Sequence, residues 1–428
     1  MPDPNPPASL GPGDSSQGSS DSAAGGREVV PEVDPVPTRR LGNVVGFDGI
    51  RGIAAVIVVT AHLEVILPIP TFAVVPGGTV PLDFFFTLSG FLITTLLLRE
   101  QAKTGRIQKL HFYERRILRL VPALATVIVA HAIFAALTGI SFHEEWTSLL
   151  SVGLYYSNWK LALNSNVFGG NIANGLQHMW SLSFEEQFYL IWPWLTIYFL
   201  TIRTRLRTVV IFIVVLILVI AVHRAILYHG TNWYPLSIRT DTRADSVLIG
   251  ALAAHIWIRG REPRRCLPIA AWIASAFLLF CLPFTGTTGP FLFRGGYDLI
   301  DLCCVTLVLA VVDGNWIGRR LFELKPLVYV GTISYGVYLW HLPIFFAVRY
   351  YGTNWGDATK VVVALTATLA IASASWYVIE RPALRLKERL AVVGARAVTP
   401  GGIPSKHGQT SELQPDPADS EKDDGLTT

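Results

Sequence analysis

Charge is scarce in this chain: Asp, Glu, Lys and Arg together make up 15% of 428 residues, against 51% hydrophobic and 11% aromatic residues. So few charges cannot solvate the surface of a soluble protein of this length, and with a mean hydropathy of +0.43 the composition describes a polytopic membrane protein. Cysteine is sparse too. Cys266, Cys281, Cys303 and Cys304 lie in or beside apolar runs without metal-site or disulfide spacing, which points to helix packing and to no structural disulfide. The net charge of +4 is modest, and most Lys and Arg fall between apolar segments, so the basicity reports topology and makes no case for nucleic acid. No apolar core precedes residue 41, so no cleavable signal peptide is expected. No internal period of about 20 to 50 residues recurs, and sequence symmetry therefore does not suggest a repeat transporter.

What is present is a series of long apolar runs. They predict an all-α integral membrane protein with about ten transmembrane helices, at 47–67, 82–98, 120–139, 180–201, 208–228, 244–259, 267–284, 297–313, 327–350 and 358–379. The flanks are rich in Pro, Ser, Gly and Asp, which predicts disordered tails at 1–42 and 391–428 around a membrane domain at 43–390. Positive charge collects on alternate connections: Arg99 to Arg119, Arg203 to Arg207, Arg259 to Arg265, Arg319 to Lys325 and Arg381 to Arg389. This bias expects a multi-pass protein of the plasma membrane with both termini in the cytoplasm. The run 144–159 is apolar enough to enter the membrane, yet as a span it would invert every later loop, so it reads as peripheral or re-entrant. Residues 106–120 form an amphipathic stretch expected to lie along the inner surface before the third span.

Several ionisable residues occur where a bilayer helix has no cheap use for them, since a polar group at its centre costs about 1–3 kcal/mol. Arg51 and His62 are eleven residues apart in FDGIRGIAAVIVVTAHLEVIL, which puts them on one helix face about 16 Å apart along the axis. An imidazole titrates near neutrality and can act as a general base on a hydroxyl; a histidine hydrogen-bonded to another helix is the other reading. Arg51 suits phosphate or carboxylate, or serves as a positive-inside anchor. Asp83 opens the second span, where it could orient His62, bind a polar acceptor or cap the helix. Ser89 and Gly90 read first as small residues for close packing. Arg116 and Arg119, three apart, can hold donor phosphates or lipid headgroups. Of the adjacent Glu185 and Glu186, about 100° apart on a helix, Glu186 is expected to face inward, with Gln187 and His178 as lesser candidates. The alternating Arg239, Asp241, Arg243 and Asp245 predict a local ion-pair network. Tyr338 and His341 are one turn apart beside Pro343, a cavity-lining or kink arrangement. A proton-coupled secondary transporter also fits buried His, Glu and Asp.

Taken in order, the strings FDGIRGIAAVIVVTAHLE, PLDFFFTLSGFLI, ERRILRLVPA, WSLSFEEQFYLIWP, RADSVLIGALAA, ISYGVYLWHLP and ERPALRL resemble the acyltransferase 3 family of integral-membrane O-acyltransferases. The resemblance covers about residues 45–386. It implies transfer of an acyl group, commonly acetyl, from acyl-CoA as co-substrate to a hydroxyl of a carbohydrate or glycolipid acceptor, with no bound cofactor or metal. The family's Arg-x10-His motif falls on Arg51 and His62, and its Arg-x-x-Arg motif on Arg116 and Arg119. His62 would then be the catalytic histidine, with Glu186 and Asp83 as further catalytic candidates and the three arginines on the donor side. Some members carry a fused SGNH-type domain; this chain resembles the stand-alone form.

Overall fold

An apolar segment in a bilayer must satisfy its own backbone, and a helix is the way a single segment can do so. The computed structural model describes Arg39, Leu41, Gly42 and residues 44–67, 80–139, 142–163, 175–202, 204–284 and 289–386. The expected tails lie outside these residues, apart from Arg39, Leu41 and Gly42. The described residues form helices and no strand. In order these are α1 (Val45–Ala61), α2 (Val80–Thr104), α3 (Lys109–Thr138), α4 (Phe142–Gly153), α5 (Ser157–Leu163), α6 (Trp180–Thr201), α7 (Leu206–Leu227) and α8 (Trp233–Ile238). They continue with α9 (Thr240–Trp257), α10 (Leu267–Phe284), α11 (Tyr297–Asp313), α12 (Arg319–Phe322), α13 (Lys325–Thr332), α14 (Ser334–Tyr351) and α15 (Asp357–Ser375).

Each of the ten predicted spans falls on a helix, but six of these, α1, α2, α3, α7, α11 and α15 with their extensions, are long and apolar enough to cross a membrane alone. A seventh is α13 with α14, bent by 72° between them. The count of about ten is therefore not reached by length and composition. Physical reasons are visible in the other three: α6 carries Glu185 and Glu186, α9 carries Asp241, Arg243 and Asp245, and the apolar part of α10 is short. The stretch 106–120 is not a separate surface helix. It is continuous with the third span as the 30-residue α3, which passes through Pro122 and ends at Gly139 with φ 72°. Residues 144–159 fall on α4 and α5, which at 12 and 7 residues are too short to span.

Two close helix crossings fix the interior. At the crossing of α2 and α9, a Cβ on Gly90 would lie 1.9 Å from the Val247 carbonyl oxygen, and one on Gly250 would lie 2.0 Å from that of Thr87. The glycines of α1 and α13 meet in the same way: a Cβ on Gly52 would lie 2.0 Å from the Leu327 oxygen and one on Gly331 1.7 Å from that of Asp48. Such contacts let backbones approach where no hydrophobic force separates protein from lipid. Burial follows from this arrangement. The apolar stretch of α2 is 67% buried, whereas those of α7 and α15 are 22% buried and present Leu218, Val219, Val222 and Val362 outward.

Between α2, α7, α9 and α11 lies a buried ion network. Arg243 pairs with Asp83 and stacks 3.5 Å from the Tyr297 ring centroid, Arg224 pairs with Asp245 and Asp298, and Ser246 donates to Asp301 at 2.8 Å. Of the alternating residues, only Arg239 and Asp241 pair locally, at 2.9 Å. Arg243 and Asp245 reach other helices, so the network is inter-helical.

Both features have measurable consequences. Gly250→Ala is expected to cost about 1–3 kcal/mol or more, because the obstacle is backbone and cannot swing aside; an unchanged unfolding midpoint in detergent would contradict the crossing. Asp83→Ala strands Arg243 and is expected to cost about 3–5 kcal/mol, while Asp83→Leu with Arg243→Leu recovers most of the loss. Thermal unfolding of the purified single and double variants measures both.

Candidate active site

α1 and α3 bring three arginines to one end of the bundle, against the acids of α6. They line a cavity of about 1600 Å³ that extends to Ser181 and Tyr338, larger than the roughly 300–1,000 Å³ of an ordinary small-molecule site. Arg51 donates to Asp48 one turn earlier at 3.0 Å. Arg116 pairs with Glu186 across to α6 at 3.1 Å and lies over the Tyr189 ring, its guanidinium carbon 3.0 Å from the centroid. Arg119 differs from both. It is exposed to the cavity, and among the described residues no carboxylate lies within ion-pair distance of it. An uncompensated guanidinium facing an enclosed space is suited to an anion.

Behind the far end of this cavity stand three imidazoles. His62 is not mid-helix as the sequence suggests; it begins the 3-10 turn His62–Val65 that ends α1. Its Nδ1 donates to the Val58 carbonyl at 2.8 Å, so the Nδ1–H tautomer is required and Nε2 carries the lone pair. His341 Nδ1 donates to the Tyr338 carbonyl at 2.7 Å, and its Nε2 lies 3.4 Å from His62 Nδ1. His178 Nε2 donates to the same Tyr338 carbonyl at 2.8 Å, and its ring centroid is 4.7 Å from that of His341.

Local sequence explains the convergence. Pro343 lacks the N–H that would occupy the Leu339 carbonyl in a regular helix, which frees the backbone beside the Tyr338 carbonyl that His178 bonds. Gly175 lets the chain pass between α3 and α14 just before His178: a Cβ there would lie 3.2 Å from Pro343 Cα and 3.4 Å from His131 Cε1. The Tyr338 hydroxyl donates to the His178 carbonyl and accepts from Ser181, so the residue separating cavity from histidines is held at both ends.

The structure brings together Arg51, Arg116 and Arg119 in the lining of the cavity, and groups His62 and His341 behind Tyr338, which lines it too. Asp83 does not join the latter group; it is engaged by Arg243. Glu186 is taken up by Arg116, and of the two adjacent acids Glu185 lines the cavity, accepting from the Tyr189 hydroxyl at 3.3 Å. Ser89 bonds the same hydroxyl, which gives it a polar contact beyond packing. Sequence reasoning passed over Ser181 and Tyr189 and ranked Glu185 second. The signal was present: Ser181, Glu185 and Tyr189 are four apart and share one helix face. Among the described residues no group of three or more His, Cys, Asp or Glu is arranged to hold a metal, and the four cysteines form no disulfide.

The chain is 32% identical over 357 residues to the peptidoglycan O-acetyltransferase OatA of Listeria monocytogenes, covering 79% of this chain and 55% of that protein. It is equally similar, over 79% of its own length and 54% of the relative, to the putative peptidoglycan O-acetyltransferase YrhL of Bacillus subtilis. The O-acetyltransferase OatA of Staphylococcus aureus is 30% identical over 352 residues, 79% of this chain and 56% of the relative. The chain thus spans about half the length of these curated relatives. No solved structure matches. The sequence profile of the acyltransferase domain matches residues 44–377, and the chain belongs to the acyltransferase 3 family.

Proposed function

We propose that the protein is a membrane O-acyltransferase that moves an acetyl group from acetyl-CoA to a hydroxyl of a cell-envelope carbohydrate. The relatives' names make peptidoglycan the first acceptor to try. The observation that carries this reading is the cavity that runs from three arginines, one of them without an ionic partner among the described residues, to Tyr338, whose carbonyl holds His341 beside His62. The donor phosphates bind at Arg119, Arg116 and Arg51 on the cytoplasmic side, the side that the charge bias favours. The pantetheine arm then follows the cavity toward Ser181 and Tyr338, which line it together with the arginines.

In the reaction, the Nε2 lone pair of His62 takes the proton of the acceptor hydroxyl while its oxygen attacks the thioester carbon. The C–O bond forms, the C–S bond breaks, and the proton passes from His62 to the leaving sulphur. Glu186 acts through Arg116, holding it against Tyr189, and Asp83 acts on the fold through Arg243.

Purified protein with labelled acetyl-CoA and soluble peptidoglycan fragments provides the test. His62→Ala is expected to lower transfer by about 10²-fold or more. Arg119→Ala is expected to raise KM for acetyl-CoA by about tenfold, equal to about 1.4 kcal/mol, with kcat little changed. Full transfer by His62→Ala, or acetylation that does not depend on CoA, would refute the reading.

A further inference from the structure

Between His62 and the rest of the bundle lies a hydrogen-bond arrangement whose protonation states are fixed by backbone carbonyls. A carbonyl oxygen only accepts, so each ring nitrogen bonded to one carries a proton. His62 Nδ1 meets the Val58 oxygen, His341 Nδ1 the Tyr338 oxygen, and His178 Nε2 that same Tyr338 oxygen. The nitrogens left with lone pairs are His62 Nε2, His341 Nε2 and His178 Nδ1. His341 Nε2 lies 3.4 Å from His62 Nδ1, so an acceptor faces a donor with no change of tautomer anywhere in the group.

The Val58 carbonyl alone is a poor anchor for His62. It already accepts the backbone N–H of His62 as α1 ends, and the imidazole shares what remains. His341, fully buried on α14, supplies the second acceptor from another element. This restrains the ring against rotation about its own side-chain bonds.

We infer that His341 is a positioning residue for His62: its Nε2 lone pair holds the Nδ1–H of His62, so that Nε2 of His62 is the nitrogen presented to the acceptor hydroxyl, and His178 stabilises the arrangement by sharing the Tyr338 carbonyl. The inference rests on the proposed acyl transfer. His341 gains and loses no proton. The hydroxyl proton goes to His62 Nε2 and on to the leaving sulphur, while the charge that appears briefly on His62 is shared with the His341 lone pair. The logic is that of the aspartate in a serine-protease triad, which keeps its histidine in the productive tautomer. Here a neutral imidazole occupies that place, and it avoids the desolvation cost of a buried carboxylate.

Two isosteric replacements separate this role from simple packing. Glutamine places its terminal amide near the Nε2 position of histidine, and asparagine near the Nδ1 position. His341→Gln therefore keeps an acceptor for His62, whereas His341→Asn keeps only the bond to the Tyr338 carbonyl. With the same labelled donor and acceptor, His341→Asn is expected to lose about 10²-fold in kcat with donor KM within about twofold, and His341→Gln to stay within about fivefold of the parent. A parent without transfer activity would sink the acyltransferase reading itself. An active parent with His341→Asn equal to or better than His341→Gln would overturn this inference and leave that reading standing. Should either variant fail to fold, the His178 pair decides in the same way. His178→Gln retains a donor for the Tyr338 carbonyl and is expected to be at least about threefold faster than His178→Asn; equality or the reverse order overturns the inference.

Discussion

One carbonyl oxygen organises the reactive end of this molecule. In an apolar bundle without water, every polar group needs a protein partner, and the Tyr338 carbonyl serves two imidazoles together, one on its own helix and one from the turn before α6. Pro343 leaves the neighbouring Leu339 carbonyl without its helical donor. The third imidazole depends on a helix end, where α1 tightens into a 3-10 turn and the Val58 carbonyl takes both the backbone and side-chain donors of His62. Carbonyl dipoles can fix tautomers without adding charge, which a carboxylate in the same place could not do.

Charge is handled elsewhere, and α2 separates the two tasks. Gly90 faces α9, where it permits the close crossing beside the Asp83–Arg243 ion pair. Ser89, one residue earlier and thus about 100° around the helix, faces the cavity and bonds the Tyr189 hydroxyl. The adjacent pair Ser89-Gly90 is therefore two devices. Losing one partner of a buried ion pair is costly while replacing both is cheap, so the Arg224 and Arg243 network acts as a demanding lock between four helices, apart from the cavity and its histidines.

Much of this was legible in the sequence. Apolar runs located the helices, and the eleven-residue spacing placed Arg51 and His62 within one segment, although His62 falls in the 3-10 turn just past α1. Periodicity gives only relative angles, however. It could say that Glu185 and Glu186 point apart, but the absolute rotation of α6 depends on what it packs against, and Arg116 takes Glu186. The partner of Asp83 was hidden for the same reason, since Arg243 lies on a helix 160 positions away. A surface stretch ending near residue 120 was expected ahead of the span, yet α3 runs through both and so carries Arg116 and Arg119 on the same helix as His131. The bend between α13 and α14 was hidden because no charged residue interrupts the stretch from Pro326 to Trp340 that crosses Ile333.

That bend ties the two ends of the site together. α13 is pressed onto α1 through Gly52 and Gly331, close to Asp48 and Arg51. After turning by 72° the chain continues as α14, which carries Tyr338 and His341 back to the end of α1 at His62. The arginine end and the histidine end are thus both referenced to one helix, α1, and to one bent partner. A change in the α1–α13 crossing would move Arg51 relative to the cavity and, through the bend, His341 relative to His62. Glycines at that crossing leave almost no play between the backbones, so the distance between the arginine end and the histidine end is set by helix geometry and not by flexible side chains.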